Sequence, residues 1–424
     1  MNILIVGSGG REHAICESVR RSDKAQKIYC APGNAGIASI AECVPIGAME
    51  FEKLADFAKE HNVDLTIVGM DDPLVGGIVD VFESRNLKVF GPSKKAAILE
   101  GSKAFSKDLM KKYNIPTAAY EVFENAQEAI EYLKDAKMPV VLKADGLALG
   151  KGVLICNTYE EAKDGVKQIM EDKKFGTAGS RMVIEEFMTG REVSVLSYCD
   201  GKHIKIMPSS QDHKRALNGD KGLNTGGMGT FSPSPFYTDE VDKICKEKIY
   251  QATVDAMRSE GREFKGIIFF GLMITKEGPK VLEYNARFGD PEAQVVLPRM
   301  KTDIIDVCLA CIDGSLDKID IEFEDNAAVC VVLASDGYPV KYDKGFEITG
   351  LDKFDSNDGY YCFHAGTKFD ANGKIVTNGG RVLGVTAKGN DLKDARNNAY
   401  KATAWVDFSN KYMRDDIGKA IDEA

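Results

Sequence analysis

Short apolar runs alternating with helical stretches fill the first part of the chain and narrow its choice of fold more than any other feature. Asn2–Val6 reads as a buried strand, closed by Gly7-Ser8-Gly9-Gly10 and followed by a helix to about Arg21. Ile28–Ala31, Leu65–Val68 and Val89–Phe90 are further runs, and a helix is expected over Glu52–His61 with Leu54, Phe57 and Ala58 on one face. Strands alternating with helices predict a parallel, doubly wound sheet. At 424 residues the chain exceeds one ordinary core, so roughly two to four domains are expected. Its segments divide as 1–101, 102–325 and 326–424, an α/β and α+β multidomain chain.

In the middle segment a helix from Ser102 ends at Ile115-Pro116. Val140–Ala144, a glycine-rich turn, Val153–Cys156, a helix over Tyr159–Met170 and Met182–Phe187 then make a small subdomain (about 120–190) able to move as a lid. Beyond Glu192 longer strands and loops are expected, up to Gly266–Thr275 and Lys280–Asn285. The last segment mixes strands Val329–Ala334 and Arg381–Thr386 with one helix, Asp391–Val406. No repeat, low-complexity stretch or long linker interrupts the chain.

A formal net charge of −10 argues against a nucleic-acid or anionic-membrane partner, because phosphate backbones are held by Lys and Arg. The start, MNILIVGSGG, is too short in apolar residues for a signal peptide or a membrane span. Ten cysteines lie scattered, and Cys308-Leu-Ala-Cys311 has no second pair to complete a zinc site and sits in helical periodicity. Buried reduced thiols in a cytoplasmic enzyme are the expectation.

Several clusters carry chemistry. Gly7-Ser-Gly-Gly-Arg-Glu-His13 lies at a strand-to-helix turn, where backbone N–H groups and the helix N-terminus suit a phosphate monoester. Glu12 stands where a dinucleotide fingerprint requires glycine, so NAD is disfavoured; a tight turn without ligand is the competing reading. Lys143-Ala-Asp-Gly-Leu-Ala-Leu-Gly150-Lys-Gly152 misses the P-loop spacing and lies between strands. It reads as a hairpin that folds over nucleotide phosphates, with an ordinary surface hairpin equally open. Glu283-Tyr-Asn285 ends a strand, and period-two geometry sets both oxygen side chains on one face, fit for a hard cation that takes its other ligands from water and phosphate. Arg287-Phe-Gly-Asp290-Pro-Glu292 adds an anion-binding guanidinium and two carboxylates. In Gln211-Asp-His-Lys-Arg215 the paired cations suit ATP phosphates and Asp212 a substrate ammonium, while His213 carries little weight as a base. A solvated charged loop is the alternative for any one of these residues, but it explains their density poorly.

Together with APGN at 31–34, GPSK at 91–94, LEGSKAF at 99–105, NTGGMG at 224–229, FHAGT at 363–367 and GGRVLGVTA at 379–387, these stretches resemble the phosphoribosylamine–glycine ligase (glycinamide ribonucleotide synthetase) family of ATP-grasp enzymes along essentially the whole chain. NARFGDPE at 285–292 is the most specific of them. The resemblance implies an N-terminal phosphoribosyl-binding domain, a two-lobed ATP-grasp core and a small C-terminal domain. It implies that Lys103 and Lys143 contact ATP phosphates and that Glu185, Glu186, Phe187 and Met188 run beside the adenine. Glu192 would hold the ribose, and Arg215 and Asn224 would face the triphosphate. Glu283 and Asn285 would hold Mg²⁺ or Mn²⁺, Arg287 with Asp212 and Asp290 would orient glycine, and Gly9, Gly10, Asn34 and Gly36 would lie near phosphoribosylamine. The sequence departs from the family at Gly69-Met70-Asp71, where Gly-Pro-Glu is usual, and it offers no metal carboxylate in Gly266–Thr275. The implied reaction passes through glycyl phosphate, so the loop Gly146–Gly152 is expected to close over the phosphates, with Lys151 at its tip. A monomer is expected. Another ATP-grasp ligase, a nicotinamide dehydrogenase and a non-catalytic nucleotide-binding module are the rival readings.

Overall fold

The structure, a computed structural model, describes residues 1–147, 152–172, 174 and 176–423. Gly150 and Lys151 of the expected lid loop lie outside the described residues. The N-terminal runs form β1 (Asn2–Gly7), β2 (Lys27–Pro32), β3 (Glu42–Cys43), β4 (Leu65–Val68) and β5 (Val89–Phe90). They make one sheet in the order β3-β2-β1-β4-β5 with every pairing parallel. Near-continuous apolar strands such as Ile3-Leu4-Ile5-Val6, all fully buried, are what a parallel sheet covered on both faces requires. The order reverses beside β1, which places the loops after β1 and β4, Gly7–Gly10 and Gly69–Asp71, at the crevice where such sheets bind ligands. Helix α1 (Gly10–Arg20) starts in that crevice, and α2 (Phe51–Glu60) buries Leu54, Ala55 and Ala58.

A four-stranded antiparallel sheet follows, β6 (Tyr120–Phe123), β7 (Val140–Ala144), β8 (Val153–Cys156) and β9 (Met182–Glu186) in the order β6-β9-β7-β8. Helices Ala126–Leu133 and Tyr159–Val166 close one face of it over Ile130, Leu133, Leu142 and Ile184. The second lobe is the sheet β11-β10-β16-β17, made of β10 (Arg191–Asp200), β11 (Ile204–Ile206), β16 (Lys265–Thr275) and β17 (Gly278–Asn285). Helices Asp239–Cys245 and Gln251–Ser259, where strands and loops were expected, pack on it through Cys245, Val254 and Met257. Their charged residues mask a helical apolar stripe that Thr238 introduces as N-cap, accepting from the Val241 N–H.

The C-terminal sheet runs β12-β15-β18-β22-β19, with β23 also on β18. Its strands are β18 (Ala327–Ser335), β19 (Tyr360–His364), β22 (Arg381–Gly389) and β23 (Lys411–Tyr412). β12 (Gln211–Asp212) and β15 (Gly229–Ser232) join it from the middle of the chain. Between these two, β13 (Arg215–Leu217) and β14 (Lys221–Asn224) form a separate two-stranded hairpin; β20 (Thr367–Phe369) and β21 (Ile375–Thr377) form another. The ten cysteines are free thiols, and Cys308 and Cys311 are buried in the helix Ile304–Asp313. Among the described residues no helix is long and apolar enough to cross a membrane.

Candidate active site

The site grows from the end of β17. Tyr284 points into the core, 4% exposed, against Phe270, with its hydroxyl 2.9 Å from Thr253 Oγ1. Alternation therefore turns Glu283 and Asn285 to the opposite face. Glu283 lies across from Gly271 of β16, where a Cβ would come within 3.0 Å of the Glu283 side chain, so glycine there leaves the carboxylate room. Lys214 Nζ stands 3.5 Å from Glu283 Oε1 and 3.3 Å from Glu192 Oε2. Lys214 above all, with Lys143, Lys103 and Arg287, overcomes burial and holds the Glu283 carboxyl down at about 2. A permanently ionised carboxylate inside a ring of cations, beside the amide oxygen of Asn285, supplies the hard oxygen donors that a phosphate-bridged divalent cation needs.

The lysines come from different elements. Lys103, at the first turn of the helix Lys103–Lys112, donates to the Gly146 carbonyl at 2.8 Å, and burial lowers its pKa. Lys143, on β7, donates to the Leu282 carbonyl at 3.2 Å and lies 2.9 Å from Glu185 Oε1, close but not aligned as a hydrogen bond. Lys107, one helical turn beyond Lys103, holds the other oxygen of Glu185 at 3.0 Å, and burial pushes its pKa down to about 8. The Glu185 side chain is thus enclosed between two lysines, and its backbone lies within the sheet between Tyr120 of β6 and Val141 of β7. Glu186 is exposed and accepts from the Ala119 N–H at 3.0 Å. Phe187 is exposed, whereas Met188 is buried with Ala118, Met273 and Leu282, an apolar wall at the edge of β9.

Beside this cationic bowl lie Asp212 and Glu292. Burial and the charge of Glu292 push the Asp212 carboxyl well above its ordinary range, and burial raises Glu292 as well. Glu292, 4% exposed, accepts from Ser194 Oγ at 3.2 Å. Arg287 NH2 lies 3.3 Å from both Glu100 Oε1 and Asn285 Oδ1, while its buried Nε has no acceptor among the described residues. Two neighbouring carboxyl groups with no ion-pair partner within 4 Å among the described residues, next to a guanidinium N–H without an acceptor, are complementary to a small zwitterion.

Asp290 faces the other way. It accepts from Gln294 at 2.8 Å and lies 3.4 Å from Arg381. Burial opposes its ionisation, but Arg381 and Arg11 outweigh burial and keep its carboxyl low. Cβ atoms placed on Gly9 and Gly10 would meet Asp290 and Gln294, so these glycines pack against that loop. The Gly9 N–H is already donated to Glu12 at 2.6 Å, and the Glu12 side chain fills the space beside Gly7 and Gly69, so the amide expected to meet a phosphate has an internal partner. Asn34 donates to Ser8 and His364 carbonyls and accepts from Gly36 and Ile37, so its amide is occupied in joining the first domain to β19. Gly36 leaves space for His364, whose ring would lie 2.2 Å from a Cβ there. Asp71, opposed by burial, is held low by Arg287 and Arg11.

Arg215 and Asn224 are cross-strand partners on the β13–β14 hairpin, and Arg215 donates to the Gly222 carbonyl at 2.8 Å. His213 is neutral, with burial pushing it to about 4; its Nε2 accepts from the Gly418 N–H and its Nδ1 lies 3.1 Å from the Gly229 carbonyl. Both ring nitrogens are engaged, consistent with a structural histidine. Sequence reasoning missed Lys107, whose signal was the spacing of four from Lys103, and missed Glu100, Arg11 and Arg381.

Comparison with known proteins agrees with this fold. Sequence models of phosphoribosylglycinamide synthetase match as its N domain over residues 1–100, its ATP-grasp domain over 101–293 and its C domain over 328–420. The phosphoribosylamine–glycine ligase of Clostridium acetobutylicum is 50% identical over 99% of this chain and 100% of its own. That of Caldanaerobacter subterraneus is 49% identical over 98% of this chain and 99% of its own. Among solved structures, the Thermotoga maritima phosphoribosylamine–glycine ligase superposes with a TM-score of 0.87 at 35% identity, covering 99% of this chain and 100% of that one. A Campylobacter jejuni biotin carboxylase, at 13% identity and TM-score 0.73 over 97% of this chain and 92% of its own, shares the fold alone. With all three domain models matched in order and half the residues identical to full-length relatives, the chain belongs to the phosphoribosylglycinamide synthetase family of ATP-grasp enzymes.

Proposed function

We propose that this protein is the ATP-dependent ligase that joins glycine to 5-phosphoribosylamine, giving glycinamide ribonucleotide, ADP and phosphate in de novo purine biosynthesis. One observation carries the reading: Lys214 stands 3.5 Å from Glu283 and 3.3 Å from Glu192, in a ring of cations with Lys143, Lys103 and Arg287, and the charges of Asp212 and Glu292 act on the same lysine. Glu283 and Asn285 would hold Mg²⁺ or Mn²⁺, which would supply positive charge to the ATP phosphates. Lys103, Lys143, Arg215 and Asn224 face the triphosphate, Glu192 the ribose hydroxyls, and the backbone from Glu185 to Met188 the adenine. Arg287 takes the glycine carboxylate, and Asp212 with Glu292 takes its ammonium, a role that Asp290 leaves to Glu292 because it is engaged with Arg381 and Gln294. Asp290, Asp71 and Arg11, with the turn at Gly9–Gly10 and the Asn34–Gly36 loop, border the phosphoribosylamine end.

In the first step a glycine carboxylate oxygen bonds to the γ-phosphorus while its bond to the bridging oxygen breaks, releasing ADP. In the second the amine nitrogen of phosphoribosylamine bonds to the carbonyl carbon of glycyl phosphate, the carbon–oxygen bond to phosphate breaks, and the nitrogen loses a proton. The protein supplies placement and a fixed positive field for anions that otherwise repel. A cytosolic location, matching ten free thiols, and a monomeric state belong to the same proposal. The test is ADP release with glycine and freshly made phosphoribosylamine. Release that needs both substrates and collapses when alanine or bicarbonate replaces glycine is expected; release equally supported by bicarbonate would assign the chain to another ligase class.

A further inference from the structure

The hairpin β13–β14 poses a physical problem. Among the described residues it pairs with no other strand, and an isolated two-stranded hairpin is marginal in water. Its large apolar side chains do not hold it either, since Leu217 and Leu223 are 49% and 57% exposed and only the small Ala216 is buried. Yet Lys214, the main cation on Glu283, stands at its root, and Arg215 and Asn224 face each other across it.

What holds it is polar and comes from near the end of the chain. Arg414, 1% exposed, makes a bidentate pair with Asp416 at 2.7 and 2.9 Å, reaches Asp220 of the hairpin turn at 2.9 Å and donates to the Arg215 carbonyl at 3.0 Å. Tyr412 Oη donates to the Ala216 carbonyl at 2.8 Å. Asp416 accepts from the Gly219 N–H at 2.7 Å, and the Asp415 N–H donates to Asn218 at 3.1 Å. The Gly418 N–H donates to His213 Nε2 at 3.1 Å, one residue before Lys214. Segment 412–418 therefore reads the hairpin almost residue by residue from 213 to 220.

We propose that segment 412–418 is a strap that sets the geometry of the hairpin 215–224, with Arg414 the positioning residue through which the C-terminal domain orders the triphosphate side of the site. The catalytic consequence rests on the reading that Arg215 and Asn224 face ATP; the ordering of the hairpin does not. Losing Arg414 leaves the Arg215 carbonyl, Asp220 and Asp416 without their shared donor, and a hairpin then held only by the remaining contacts of Tyr412, Asp415 and Asp416 loosens. Glycine, held by Arg287, Asp212 and Glu292 on other elements, is little affected.

The experiment compares Arg414→Met, Tyr412→Phe and Arg215→Ala in the full-length enzyme by amide hydrogen exchange and steady-state kinetics. In Arg414→Met, amides of 215–224 should exchange about tenfold faster or more, with β1 unchanged, and the KM for ATP should rise about tenfold while the KM for glycine stays within about twofold. Tyr412→Phe removes one hydrogen bond and no packing volume, so it should fold and shift both readouts in the same direction by less. Unchanged hairpin exchange in a folded Arg414→Met protein overturns the strap. If that variant does not fold, unchanged exchange in Tyr412→Phe overturns it instead. Faster hairpin exchange with an unaltered KM for ATP in both Arg414→Met and Arg215→Ala keeps the strap and removes the hairpin from the nucleotide site.

Discussion

Replacing Glu283 with Gln separates the two things its carboxylate does. Its fall from the ordinary 4.5 to about 2 amounts to about 3 kcal/mol of preference for the ionised form, trimmed by solvent screening of a side chain that is partly exposed. Lys214 contributes most of that preference, then Lys143, Lys103 and Arg287, so the carboxylate in turn holds these cations together. Because the folded value lies below the ordinary one, the associated stability is present above about pH 4.5 and lost only as pH falls through about 2. An acid limb of activity near neutrality therefore cannot come from this group. Glu283→Gln keeps the shape and removes the charge. Turnover at saturating glycine and Mg²⁺ should fall about 10²- to 10³-fold, as when one preorganised electrostatic group is lost. The cation ring, freed of its counter-charge, should bind metal-free ATP at least as tightly as before. ADP release across a Mg²⁺ series and calorimetric titration of ATP in EDTA measure the two effects separately. Near-wild-type turnover would refute the metal assignment, and weaker ATP binding in EDTA would refute the electrostatic reasoning.

Other outcomes follow from the same geometry. Lys143→Ala should weaken ATP binding about tenfold or more, whereas Gly9→Val should leave ATP affinity nearly intact and impair use of phosphoribosylamine; loss of ATP binding in Gly9→Val would show the nucleotide to be in the wrong domain. Glu292→Gln should raise the KM for glycine about tenfold or more with little change for ATP, while Asp290→Asn should do so far less; the reverse order in initial-rate kinetics would return the ammonium to Asp290. Burial pushes His213 and His364 down to about 4, so an unfolded chain binds protons that the folded one refuses between about pH 6.5 and 4. The stability each contributes is complete above that window and lost as pH falls through it, about 3 kcal/mol apiece. Unfolding midpoints followed from pH 7 to 4 should drop, and His364→Asn should flatten the slope; an unchanged slope would mean that His364 does not titrate in this range.

How much of this was legible depends on the reach of each interaction along the chain. The N-terminal sheet could be read because four consecutive apolar residues, Ile3 to Val6, leave no face for solvent, and such short runs alternate there with helical stretches, the pattern of a covered parallel sheet. The turn of Glu283 and Asn285 away from the core could be read because Tyr284 between them is apolar enough to fix the alternation. Glu12 was the subtler case. Its presence where a dinucleotide fingerprint needs glycine excluded NAD, yet nothing local said that its carboxylate would fold back onto Gly9 and occupy the amide expected to meet phosphate. Pairings such as Lys107 with Glu185 and Asp212 with Glu292 join positions far apart in sequence, and no periodicity records them. The same holds for Arg414 and the hairpin, the most distant of these links.

These distant pairings have a common logic. Buried charged and polar groups are tolerated only with partners in place, and here the partners come from different domains: Arg287 of the core with Glu100 of the helix Lys94–Gly101, Arg381 of β22 with Asp290, and the Asn34 amide with the His364 carbonyl. Each pair is complete only when its two elements are docked. The charged groups of the candidate site therefore acquire their geometry from domain docking rather than from any one domain. Separating the domains would leave Arg381 and Asp290 each without its partner, and the resulting cost opposes opening. Isolated motifs in the sequence identify the chemistry, but the field at Glu283 and Asp212 is a property of the assembled chain.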